Sequence, residues 1–324
     1  MSGNTKNAKG ALLALLAMGI YATHDVVIKT LGNHMTAFQI VFFAALLSFP
    51  VVSVILLNEK REGNLRPKHP WWMAARTVCT VVTGVSAFYA FSKLPLAQVY
   101  AILFAAPLLI TILSIPILGE SVGPHRWGAV ILGLIGVLIV LRPGQADLEV
   151  GHAAALISAI CGATASVIVR KIGAEERSVV LLLYPMVANF LFMGAALPFV
   201  YVPMALSDLG LLTVIAVFGL TASFLIILAY RAGQAAVVAP MQYSQIIWAT
   251  IYGWFLFGEK LDMATVVGAG TIIASGMYIV FRESRGSVSE NQPVLSTRGR
   301  NETVTSPRSS ILQRLLQPVG RGAK

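Results

Sequence analysis

Charge is scarce in this chain. Of its 324 residues only 12% are Asp, Glu, Lys or Arg, where a soluble domain carries roughly 25%. Acidic side chains are rarest, 14 against 24 basic ones. With 56% apolar residues and a mean hydropathy of +0.77, one water-soluble core is excluded, because so much apolar surface needs lipid as its solvent. Cysteine is almost absent. Cys79 and Cys161 both fall inside apolar runs, so neither a disulfide framework nor a cysteine-based metal cluster is expected. No Gly-rich loop ends in Lys-Ser/Thr, so direct ATP drive has no support. No His/Cys/Asp group has metal-ligand spacing. Neither metal nor cofactor is expected, and no constellation of an enzyme stands out.

The net charge of +10 would suggest nucleic acid in a soluble protein. Here the basic residues sit between apolar runs and in the tail, so they read as topology signals and nucleic acid is not an expected partner. The apolar run after the polar first nine residues carries His24, Asp25 and Lys29 and is closed by no small-residue cleavage site. It is predicted to be a retained helix rather than a signal peptide.

Crossing a bilayer takes about 20 mostly apolar residues. Ten segments qualify, near 10–31, 36–57, 71–92, 95–118, 126–142, 151–172, 178–200, 207–230, 234–257 and 262–282. An N-terminus in the cytoplasm puts twenty Lys and Arg on the cytoplasmic side and leaves four outside: Lys29, Lys93, Arg142 and Lys260. That bias predicts a multi-pass protein of a bacterial inner membrane with both termini cytoplasmic. Residues 283–324, rich in Ser, Arg, Gln and Gly, read as a disordered basic tail. Within it Ile311, Leu315 and Leu316 allow at most a brief surface helix.

The chain resembles itself. Gly10, Ala14-Leu15, Ala22-Thr23, Lys29 and Gly32 recur, 141 residues on, as Gly151, Ala155-Leu156, Ala163-Thr164, Arg170 and Gly173. Gly119-Glu120, Gly128, Gly136 and Arg142 recur as Gly258-Glu259, Gly268, Gly276 and Arg282. The expected organisation is a short N-terminus (1–9), a first repeat (10–142), a linker (143–150), a second repeat (151–282) and the tail. Each repeat holds five helices. Five is odd, so the second repeat enters the membrane from the opposite side. Such inverted repeats are common in secondary transporters, with the substrate site between them near the midplane. Two near-equivalent halves can exchange conformations, giving outward-open and inward-open states of similar energy. A static scaffold built on an old duplication is the alternative.

These stretches, with the runs AFYAFSKLPLAQVYAILFAAPLLITILSIPILGE and RAGQAAVVAPMQYSQIIWATIYGWFLFGE, resemble the drug/metabolite transporter superfamily, and within it the EamA-type ten-helix members. The resemblance spans about residues 10–282. It implies an all-α integral membrane fold of two five-helix EamA-type bundles. It also implies a central cavity lined mainly by helices 1, 3, 4, 6, 8 and 9. The opening ATHDVVIKTLG and the stretch MQYSQIIWATIYGWFLFGE look most like those of bacterial riboflavin importers or S-adenosylmethionine carriers. Other relatives export amino acids or drugs.

Several residues are candidates for the mechanism. Asp25 lies in the first segment away from a helix end, where a charge is costly and usually faces a cavity or a partner. It reads as a substrate-binding or proton-carrying acid, or as a structural ion pair with Lys29 at i, i+4. His24 beside it titrates near neutrality when unperturbed, or packs as an ordinary hydrogen-bonding residue. The ninth segment carries Pro240, Gln242, Tyr243, Gln245 and Trp248, and the fourth offers Tyr100, Phe104 and Pro107. Amides and rings suit a flat, hydrogen-bonding substrate, and the prolines can supply a bend. Arg76, one turn inside the third segment, is expected to snorkel to the interface or, with Lys29, to gate. Glu120 and Glu259 close helices 4 and 9 and suggest a shared structural role, bonding the backbone amides that open the next helix. The predicted function is inward movement of riboflavin or a similar metabolite, with possible proton coupling. The alternatives are S-adenosylmethionine carriage, export of amino acids or drugs, and a membrane enzyme or scaffold.

Overall fold

The computed structural model describes residues 3–57, 65–143, 149–173, 175–233 and 235–284. Most of the 58–70 connection, the linker residues 144–148 and the tail from 285 lie outside the described residues. The chain forms helices α1 (Gly3–Leu31), α2 (Ala37–Leu57), α3 (Pro70–Lys93), α4 (Leu96–Leu103), α5 (Ala106–Leu118) and α6 (Pro124–Leu141). The second repeat forms α7 (Val150–Ile172), α8 (Ser178–Val200), α9 (Leu206–Ala232) and α10 (Ala235–Val238), then a 3₁₀ turn (Ala239–Ser244), α11 (Gln245–Phe257) and α12 (Met263–Ser284).

These pieces make ten spans. Among the described residues eight helical stretches are long and apolar enough to cross a membrane, α4 and α5 counting as one, and Ala37–Pro50 of α2 is a shorter apolar helix. The ninth span is the composite 235–257. Helix starts follow local chemistry: Pro70 and Pro124 open α3 and α6, where a missing N–H costs nothing. Gly119 and Gly258 close α5 and α11 with φ of 74° and 63°, a left-handed conformation that glycine adopts without a steric penalty.

The fourth and ninth spans are interrupted at equivalent places. Shifted by 139 residues, α5 (Ala106–Leu118) falls exactly on α11 (Gln245–Phe257), and the break at Phe104-Ala105 falls on Tyr243-Ser244. Pro107, at the start of α5, cannot donate back into α4. Pro240 sits likewise in the 3₁₀ turn.

The contacts establish the inversion. At the end of α1 Gly32 backs onto Ser92, at the end of α3, so these two helices finish on one face. There Leu94 packs on Gly151, at the start of α7, while Met73 at the other end of α3 clusters with Ile168 and Ile172. Helix α7 therefore runs opposite to α3 and to its own counterpart α1. In the same way α1 is antiparallel to α9: Gly10 lies against Gly233, and the Tyr21 hydroxyl is 2.7 Å from that of Ser223. The fifth and tenth spans meet backbone to backbone, a β-carbon on Gly136 falling 2.9 Å from the Gly268 carbonyl oxygen. Small residues permit that approach.

Arg76 departs from the sequence expectation. It does not snorkel: it is buried, and its Nη1 donates to the carbonyl of Leu181 in α8. The reason lies four residues on. Pro185 has no N–H to give that carbonyl, so a long cation from α3 satisfies it.

Candidate functional site

The two interrupted spans bring a chain of polar and aromatic groups to the boundary between the repeats. His24 and Asp25 of α1 are fully buried, with His24 Nδ1 2.7 Å from Asp25 Oδ1. The Tyr100 hydroxyl of α4 donates to Asp25 Oδ2. The Tyr100 ring lies 6.0 Å from that of Phe104, which meets Tyr243 of the ninth span edge-on at 5.1 Å. Burying a carboxylate is costly unless donors surround it, and a histidine and a phenol supply them here. With Nδ1 turned to Asp25, His24 Nε2 faces away and has no hydrogen-bond partner among the described residues. The imidazole is held edge-to-face between Tyr21 and Phe88.

Five of the eight sequence candidates thus form one connected cluster: His24, Asp25, Tyr100, Phe104 and Tyr243. The hydroxyl of Tyr243 abuts Gly276 of α12. Trp248 stacks on Tyr252 at 6.2 Å and lies over Gly19 of α1. Gln245 is buried with its amide nitrogen unpartnered among the described residues, and Gln242 is half-buried. Tyr21, Phe88 and Tyr252 belong to the same layer and were not anticipated. Tyr252 places its hydroxyl 3.1 Å from Thr23. Nothing separates these rings from packing aromatics in the sequence, although α1 carries Tyr21 and Thr23 within one turn of His24.

Asp25 and Lys29 do not pair, despite their spacing. Lys29 instead reaches across the repeat boundary to Glu259, Nζ to Oε1 2.6 Å, and donates to the Leu94 carbonyl at 2.5 Å. Glu259 Oε2 accepts the Leu96 amide at 3.0 Å. It does bond a backbone amide that opens a helix, but that helix is α4 rather than the next one along the chain. On the other face Glu120 takes Arg170 as its partner. A cavity of ≈ 160 Å³ lies beside the first pair, lined by Pro95, Gln98, Thr250, Trp254, Glu259 and Asp262 among others. Asp262 holds Arg142 and so ties the end of α6 to the start of α12.

Comparison with known proteins gives the same architecture a context. Residues 8–142 and 149–281 each match the EamA-like transporter family. The chain is 26% identical over 271 residues to an S-adenosylmethionine uptake transporter of Rickettsia bellii, covering 84% of this chain and 93% of that protein. It is 30% identical to a riboflavin transporter of Rhizobium johnstonii, with coverages of 85% and 92%. A pseudopaline exporter of Pseudomonas aeruginosa is 26% identical, with coverages of 86% and 97%.

Proposed function

Because the chain belongs to the EamA-like transporter family, a family of multi-pass membrane carriers, we propose that it moves a flat, polar heteroaromatic metabolite inward by alternating access, riboflavin being the leading substrate. The observation that carries this reading is the cluster at the two helix breaks, where Asp25, His24 and Tyr100 adjoin the Phe104–Tyr243 ring pair. Interrupted helices at a repeat interface free backbone groups for a ligand at mid-membrane depth. Rings give a flat ligand stacking area, and Gln242, Gln245 and Trp248 supply the hydrogen-bonding edge. The buried His24–Asp25 pair is also the candidate carrier of a coupled proton. The bias of Lys and Arg supports an inner-membrane orientation with cytoplasmic termini.

The test is uptake in a bacterial strain unable to make riboflavin. Growth at low external flavin is expected. No rescue, with the protein present in the membrane, overturns the substrate. Proteoliposomes run with and without a proton gradient then decide coupling: collapsing the gradient abolishes accumulation if the proton drives it.

A second reading has its own support. A buried carboxylate among aromatic rings also suits a cation, and S-adenosylmethionine carries a sulfonium. Competition settles the choice: excess S-adenosylmethionine displaces labelled riboflavin only if the sulfonium occupies this site.

A further inference from the structure

The second repeat mirrors the first in its ion pairs as well as in its helices. Lys29 ends the first span, and its counterpart at the 141-residue offset is Arg170, ending the sixth. Glu259 follows the ninth span, and its counterpart at the 139-residue offset is Glu120, following the fourth. Lys29 binds Glu259, and Arg170 binds Glu120. The same joint is therefore built twice, with the partners exchanged between repeats. One copy stands where α1 and α3 end, the other at the opposite face. Each acid is placed by its left-handed glycine, and each loop turns back on its helix in the same way, Glu120 N to Ser114 O and Glu259 N to Gly253 O.

A second pair repeats the scheme. His34 meets Asp208 at 3.3 Å on the first face, and His69 meets Glu175 at 2.9 Å on the other. Glu175 is the counterpart of His34, and Asp208 of His69, so base and acid have changed places while the contact persists. All four contacts join one repeat to the other. The inner two are shielded, with side-chain exposures of 12% and 16% for Lys29 and Glu259, and 23% and 11% for Arg170 and Glu120.

We propose that Lys29–Glu259 and Arg170–Glu120 are reciprocal latches, one for each face, and that transport opens them in turn. The inference rests on the alternating-access reading above. When the repeats exchange conformations they part at one face and close at the other, so an ion pair bridging them at that face must break while its counterpart holds. Matched latches keep the two open states close in energy, which a carrier needs if neither state is to trap the substrate. Both are closed in this structure.

The experiment places one thiol at the centre and reads it from each side. In the full-length chain Cys79 and Cys161 are changed to alanine and Ser244→Cys is introduced at the break in the ninth span. The protein is reconstituted in vesicles of known orientation and labelled with a membrane-impermeant maleimide. Glu259→Gln is expected to raise labelling from the Lys29 face about tenfold relative to the other, as ~1.4 kcal/mol of lost latch energy predicts. Glu120→Gln is expected to shift the ratio by a similar factor the other way. The two changes together restore it. Glutamine keeps the size of the side chain and an acceptor for the Leu96 amide, which preserves the fold for the measurement. An unmoved ratio, or both variants opening the same face, overturns the latches. Labelling does not depend on the cargo, so a protein that labels as expected yet carries no flavin overturns only the substrate reading.

Discussion

Asp25 is a costly charge for this bundle to keep. On insertion scales a carboxylate at bilayer depth costs about 2.5–3.5 kcal/mol, and His24 and Tyr100 offset part of that cost through direct hydrogen bonds. Asp25→Asn is expected to lower transport roughly 10- to 100-fold, since a hydrogen bond to a charged group is worth about 1.5–3 kcal/mol. Expression and detergent stability should stay near normal, and loss of folding alone would point to a structural carboxylate. Arg76 makes the opposite prediction. Arg76→Met leaves the Leu181 carbonyl without its donor and is expected to cost about 1–3 kcal/mol of stability, read as a lower melting temperature. Pro185→Ala in that background returns a helical N–H to the same carbonyl and recovers part of the loss, while Pro185→Ala alone makes the guanidinium redundant there.

At the scale of elements, the interrupted spans and their glycine caps set where the functional groups stand. Gly119→Ala and Gly258→Ala force a β-carbon into a left-handed residue, at about 1–2 kcal/mol each, and move the following glutamate off its partner. Thermal unfolding of each variant should show a drop of that size. Gly136→Ala is expected to push α6 off α12, because its β-carbon would fall 2.8 Å from Ile272 as well as against the Gly268 carbonyl. The ten segments and the repeat were legible in the sequence because lipid imposes length and hydropathy on every span. Asp25 was legible for the same reason: a buried charge stands out in an apolar run. The partners were not. A helix spacing of i, i+4 is visible in one dimension and suggested Asp25–Lys29, whereas Lys29 finds Glu259, 230 positions away. Arg76 looked like an interfacial cation because the carbonyl freed by Pro185 belongs to another helix. The prolines announced a bend in the fourth and ninth spans, but the residues at the two breaks emerged only from aligning the helices.

For the molecule as a whole, opposed threading fixes which loops share a face. Single cysteines at Asn33 and Leu65 are expected to react with an impermeant thiol reagent from opposite sides, Leu65 from the cytoplasm and Asn33 from outside. Labelling of both from one side would remove the inversion, and labelling with the sides reversed would overturn the orientation. One contact holds a special place in this geometry. Phe104 and Tyr243 are counterparts under the repeat, yet they touch each other, so the pseudo-twofold axis passes between their rings. A point on such an axis is left where it is when the halves trade shapes. Under the alternating access proposed above, the ring pair is the fulcrum, and a tether across it should leave turnover possible where a tether across either rim would stop it. It is also where the two halves differ by a single oxygen, the phenol that phenylalanine lacks, so a directional preference can enter an otherwise reversible machine at its pivot.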